Sequence, residues 1–122
     1  MHTYSFENLD VWKKSRTLVK KIYILTREFP PEEKYGLISQ IRRAALSVTT
    51  NLSEGSSRKS FKDQARFTEI AYGSLLEVLN LLICSFDLGY IKEELLLNER
   101  PLIEGIGKQL NALQKAQLKR KE

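Results

Sequence analysis

Residues 60–89 read SFKDQARFTEIAYGSLLEVLNLLICSFDLG. The stretch opens on a start signal, because Ser60 followed by Asp63 forms a capping box with Asp in place of the usual Glu. It closes on Gly89, a residue suited to the position just past a helix end. Between them Phe67, Ala71, Ser74, Val78, Leu81, Ser85 and Leu88 recur at alternating spacings of four and three. That period puts all seven on one stripe, the seam of a helical bundle. A helix over 61–88 follows.

The same period extends on both sides. A second helix over 31–56 starts at Pro31, whose missing N–H costs little in a first turn. It carries Ile38, Ile41, Ala45, Val48, Leu52 and Gly55. A first helix over 9–28, capped by Asn8 or Asp10, carries Val11, Ser15, Leu18, Ile22, Leu25 and Phe29 and stops at Pro30. A fourth over 92–117 carries Leu95, Leu102, Ile106, Leu110 and Leu113. Pro101 predicts a kink or break there, since it removes a backbone donor and clashes with the preceding turn. No Asn-Gly or Asp-Gly turn joins alternating strands, so a sheet has no support. With 122 residues the expectation is one all-α domain over 1–122, an antiparallel up-down-up-down four-helix bundle.

A hairpin centred near Arg58 would set Ala44 and Ala45 level with Tyr72 and Gly73, a small-against-small contact, and bring Gln40 and Arg43 near Glu77. Leu75, Leu76, Val78, Leu79, Leu81, Leu82 and Ile83 leave the third helix apolar almost all round. A surface helix needs a polar face, so this one should also be covered by another subunit. The expected oligomer interface is Leu75, Leu76, Leu79 and Ile83, with Trp12 and Tyr23 from the aromatic face of the first helix.

Net charge is +5 and the pI is about 9.4. In an antiparallel bundle one end collects Lys13, Lys14, Arg16, Arg58, Lys59, Lys62, Arg66, Lys115, Lys119, Arg120 and Lys121. The other collects Glu28, Glu32, Glu33, Asp87, Glu93, Glu94 and Glu99, although Glu54 and Asp63 fall at the basic end and Arg27, Lys34 and Arg100 at the acidic one. A clustered basic end is the footprint of a phosphate-backbone binder. A solvated charged surface, or head-to-tail packing of opposite ends, would look the same in sequence.

Catalytic constellations are missing. The single histidine, His2, lies near the terminus, and with the single cysteine, Cys84, it makes no zinc set. No Glu-x-x-His pair suggests a di-metal bundle, and no Gly-rich loop suggests a nucleotide. Cys84 is expected in the core. The expectation is a protein that is not an enzyme and takes no cofactor or metal. Residues 1–9 lack a signal-peptide core, and the apolar run at 75–84 is short and carries Glu77 and Asn80. A cytoplasmic location without membrane contact is expected.

An ordered set of short motifs adds a resemblance. Leu9-Asp10-Val11-Trp12, Phe29-Pro30, Tyr35-Gly36-Leu37, Gln40 and Arg43-Ala44 are followed by Ser47-Val48, Asn51-Leu52, Glu54-Gly55 and Arg58. Ile70-Ala71, Gly73-Ser74, Glu77 and Leu88-Gly89-Tyr90 complete it. The set resembles the bacterial four helix bundle protein family, also called the 23S rRNA intervening-sequence protein family. That family includes the accessory variability proteins of diversity-generating retroelements. The resemblance spans about 6–90, with the fourth helix alike only in kind. It departs from the family at Thr50, where Pro or Ser is common, and at Pro101. It implies a homopentameric bundle, nucleic acid as a ligand and a reverse transcriptase as a partner. Asn51, Glu54, Gly55 and Arg58 would then either tie down the turn, with Glu54 reaching Arg58 or Arg66, or line a subunit or nucleic-acid contact. Two functions stand at this point: an oligomeric nucleic-acid-binding scaffold using Lys13, Lys14, Arg58, Lys59, Lys62, Arg66, Lys115 and Lys119, or a protein-interaction module without nucleic-acid affinity.

Overall fold

A computed structural model describes residues 1–120. Four helices make up the fold: α1 Asp10–Thr26, α2 Leu37–Ser56, α3 Phe61–Asp87 and α4 Glu93–Lys119. Short 3-10 turns at Ser5–Asn8 and Pro31–Glu33 precede α1 and α2, and the described residues contain no strand. Each helix packs on its chain neighbours, and α1 meets α4 to close the bundle. Contacts between neighbours run in opposite senses. Ser47 meets Ser74 and Gly55 meets Phe67, while Thr68 meets Gln117 and Leu75 meets Gly107. Asp10 meets Gln109 and Lys21 meets Glu99. Neighbouring helices are therefore antiparallel.

The heptad reading places most of the core. Val11, Ser15, Leu18 and Ile22 of α1 are buried, as are Ile41, Ala45, Val48 and Leu52 of α2. Two of the three polar members of the stripes are satisfied within their own helices: Ser15 Oγ donates to the Val11 carbonyl and Ser85 Oγ to that of Leu81, each at 2.7 Å. Ser60 caps α3, accepting from the Asp63 N–H at 3.0 Å. Gly89 ends α3 at φ +80°, a conformation that side chains disfavour, and the Tyr90 N–H then closes on the Ser85 carbonyl at 2.9 Å.

Several expectations need correcting. The second helix begins at Leu37, not Pro31. Gly36 has ψ −109°, and the Glu33 carboxylate folds over it to accept from the Leu37 N–H at 3.2 Å. Tyr90 Oη holds the other carboxylate oxygen of Glu33 at 2.8 Å, which keeps 31–33 a separate turn. Neither Asn8 nor Asp10 caps α1; the N-cap is Leu9 and has no side-chain bond to offer. Pro101 does not break α4, which runs unbroken through it. Pro101 and Leu97, the residue whose carbonyl loses its donor, are both exposed, so water can replace the missing bond. The buried stripe of α4 is Leu96, Ile103, Ile106 and Leu110, so Leu95 and Leu102 sit at its flank.

The α2–α3 register is offset by about one helical turn from the expected one. The Ser47–Ser74 and Gly55–Phe67 contacts centre the hairpin near Ser60 and Phe61 rather than Arg58, and Ser47 rather than Ala44 finds the small partner. Gly73 is exposed, with no atom within 4 Å of where a Cβ would stand, and Glu77 is exposed too. The close approaches use Gly55, whose Cβ would fall 2.8 Å from Phe67 Cβ, and Gly107 against Leu75 and Tyr72. Cys84 is half-buried rather than a core residue.

The apolar surplus of α3 is mostly absorbed by its own bundle. Leu75, Val78, Leu81 and Leu82 are buried, and Leu79 and Ile83 pack at the core's edge, which leaves Leu76 exposed at 45%. Leu75, expected at a subunit contact, is 1% exposed and lies in the bundle core. By length and apolarity α3 could cross a bilayer, its most apolar 18-residue window having a mean hydropathy of 1.4. Here it lies between α2 and α4.

Candidate nucleic-acid interface

The α2–α3 turn is built before any charge is placed on it. Ser57 Oγ donates to the Glu54 carbonyl at 2.7 Å, and Gln64 Nε2 reaches the Arg58 carbonyl at 2.9 Å. Among the described residues Glu54 forms no ion pair with Arg58 or Arg66. Phe67 takes that role: the guanidinium of Arg58 lies 4.5 Å from its ring centre and that of Arg66 5.6 Å. A ring beneath each guanidinium favours the cation without neutralising it. Asn51 is tied elsewhere, Nδ2 donating to the Ser47 carbonyl at 2.8 Å and to Ser47 Oγ at 3.0 Å.

Helix α4 brings its last turn to the same end. Thr68 Oγ1 donates to Gln117 Oε1 at 2.8 Å, and Arg120 lies 5.3 Å from the Phe61 ring centre. Lys59, Lys62, Lys115 and Lys119 are exposed there. Lys121 lies outside the described residues. The two lysines from α1 do not join this group on equal terms. Lys14 Nζ is 3.2 Å from Asp10 Oδ2. That carboxyl is held below its ordinary value, first by the hydrogen bond from Gln109 and then by Lys14. Lys13 shares a shallow hollow with Arg16, Thr17 and Lys20 along the outer face of α1.

That face continues into a groove between α1 and α2 of about 510 Å³, lined by Phe6, Trp12, Arg16, Lys20, Tyr23 and Leu46 among others. The Phe6 and Trp12 rings meet edge to face at 5.1 Å, and the Arg16 guanidinium lies 5.0 Å from the Trp12 ring centre. Beyond Tyr23 and Leu46 a second concavity of about 440 Å³ follows, with Lys34, Arg42 and Arg43 in its wall. Arg42 is fixed over Tyr23 at 4.5 Å, its Nε donating to Thr26 Oγ1 at 2.8 Å. No carboxylate lines any of these three concavities. The hollow beside α4 differs, with Glu28, Glu94 and Glu99 against Lys92.

Trp12 and Tyr23 therefore open into the α1–α2 groove, whereas Leu76 is exposed on α3. Sequence reasoning missed the groove as a site, although aromatic and cationic residues at 12, 16, 20 and 23 share one face of a helix. Among the described residues no group of three or more His, Cys, Asp or Glu side chains could hold a metal ion.

The family model described as 23S rRNA-intervening sequence protein matches residues 7–112. The match takes in α1 to α3 and most of α4, and stops short of Lys115 and Lys119. No curated protein matches the chain.

Proposed function

The chain belongs to the 23S rRNA-intervening sequence protein family, and from that premise we propose that it is a non-catalytic, oligomeric scaffold that binds nucleic acid through the basic end of its bundle. The observation that carries this reading is the pair of guanidiniums, Arg58 and Arg66, held over Phe67 beside the exposed Lys59. Lys115 and Lys119 enlarge the same end. Such a surface neutralises phosphates and reads little sequence. Assembly rests on the family resemblance and on exposed Leu76, flanked by Leu79 and Ile83. A ring of copies would repeat the basic end and turn weak single contacts into avid binding.

The test is fluorescence anisotropy with mixed-sequence RNA and DNA. Affinity should fall with salt at a log–log slope of about −0.7 to −0.9 per phosphate contacted. Reversing Lys59, Lys62 and Arg66 to Glu should weaken binding to every sequence alike. Binding indifferent to that reversal, or none at low salt, would replace this function with a protein-interaction module, for which a reverse transcriptase is the candidate partner. Sedimentation equilibrium tests the assembly, and a 14.1 kDa species at working concentrations would remove it.

A further inference from the structure

We infer that the α1–α2 groove is a second nucleic-acid site, one that takes a single strand by stacking its bases beside Trp12 and Tyr23 and its phosphates beside Arg16 and Lys20. The inference rests on the nucleic-acid reading above but concerns another surface. Three observations carry it. First, the lining combines apolar rings with cations and no carboxylate, so the occupant that complements it is apolar in its planes and negative at its edge. A nucleobase joined to a phosphate is such a group, and stacking plus a cationic track is how single strands are held without sequence preference. Second, the order along α1 is ring, cation, cation, ring at 12, 16, 20 and 23. Eleven residues of helix extend about 16 Å, room for roughly three to five nucleotides. Third, cations are already placed: Arg16 sits over Trp12 inside the groove, and Arg42 sits over Tyr23 in the adjoining concavity. A guanidinium plane held this way is itself a surface on which bases stack. A duplex, whose bases are paired and covered, could use only the cations.

The chain contains one tryptophan, and it lies in this groove, so its emission reports directly on the site. The experiment titrates the protein with a short oligo(dT) or oligo(U), and separately with a duplex of equal length, following Trp12 emission and oligonucleotide anisotropy together. Single strands should quench Trp12 in step with the anisotropy change, and duplex should leave the emission nearly unaltered. Arg16→Glu with Lys20→Glu should lower the salt slope for single strands by about 1.4, corresponding to two phosphates. Both side chains are exposed, so the fold should be retained, which circular dichroism checks. Trp12→Ala should weaken single-strand binding by roughly five- to hundred-fold, and Trp12→Phe should restore most of it. Binding that leaves Trp12 unquenched and ignores the Arg16/Lys20 reversal would overturn the groove while the bundle-end site stands. Absence of any binding would overturn both. Emission that changes with protein concentration and not with oligonucleotide would show the groove covered by a second copy, which also overturns the inference.

Discussion

Against α3, helix α2 offers small residues. Gly55 leaves no room for a Cβ beside Phe67, and Ser47 Oγ lies 2.8 Å from Ser74 Oγ. Against α1 the same helix offers Leu46, Thr49, Thr50 and Ser53, which face Trp12, Val19 and Tyr23 across about 510 Å³ of open space. Helix spacing follows the size and fit of the side chains at the contact. The two faces of α2 therefore do different work. The close interface concentrates burial and polar satisfaction, while the open one leaves rings and cations within reach of a ligand.

The largest test of that division is in the core. Leu82→Ala on α3 should cost about 2–5 kcal/mol in urea unfolding, because a fully buried side chain leaves a cavity. Leu46→Ala in the groove, at 41% exposure, should change stability by no more than about 0.5 kcal/mol. Equal losses would end the distinction.

Gly55→Leu comes next, at about 1–3 kcal/mol destabilising, since its side chain must displace Phe67 from the α2–α3 contact. A thermal melt unchanged from the parent would mean that the close approach is not required.

Ser47→Ala probes the close interface at one hydroxyl. It removes the hydroxyl that Ser74 and Asn51 share, leaves Asn51 its bond to the Ser47 carbonyl, and should cost about 0.5–1.5 kcal/mol. Thr49→Ala on the groove side loses only a bond to its own helix at Leu46, so chemical denaturation should find it nearly neutral.

Gly73→Ala has the opposite sign. The position is exposed, inside α3, with nothing within 4 Å of a new Cβ. Helix propensity alone should raise stability by about 0.5–1 kcal/mol. A loss would place a contact at Gly73 and restore the register expected from sequence.

The smallest effect is in acid, at the α1–α4 contact. The folded pKa of Asp10 lies below its ordinary 3.8, through Gln109 and then Lys14. Its contribution is therefore complete above the unfolded pKa and disappears as pH falls through the folded one. Melting temperatures of Asp10→Asn and the parent should converge as pH drops below about 4. A gap that stays constant in acid would separate Asp10 from this dependence.

Local structure was legible in the order of residues alone. The three-four spacing of Val11, Ser15, Leu18 and Ile22 chose helix and named its buried side. Ser60 and Gly89 bounded α3, because a cap and a left-handed stop act within one turn. The cations around Arg58 were visible for the same reason, since they surround a short turn. Tertiary structure decided everything that depends on how far helices slide and how closely they approach. It replaced Leu95 and Leu102 by Leu96 and Ile103 in the core, paired Ser47 with Ser74, and turned Leu75 inward. It also set Glu33 against Tyr90, 57 residues away, which moved the start of α2. The α1–α2 groove belongs to this second class. Trp12 and Arg16 are written into α1, but the space beside them exists only because the facing side chains of α2 do not fill it. Spacing along a chain reports which residues share a face. Spacing between helices is a sum of side-chain volumes brought together from distant segments, and only the folded chain performs that sum.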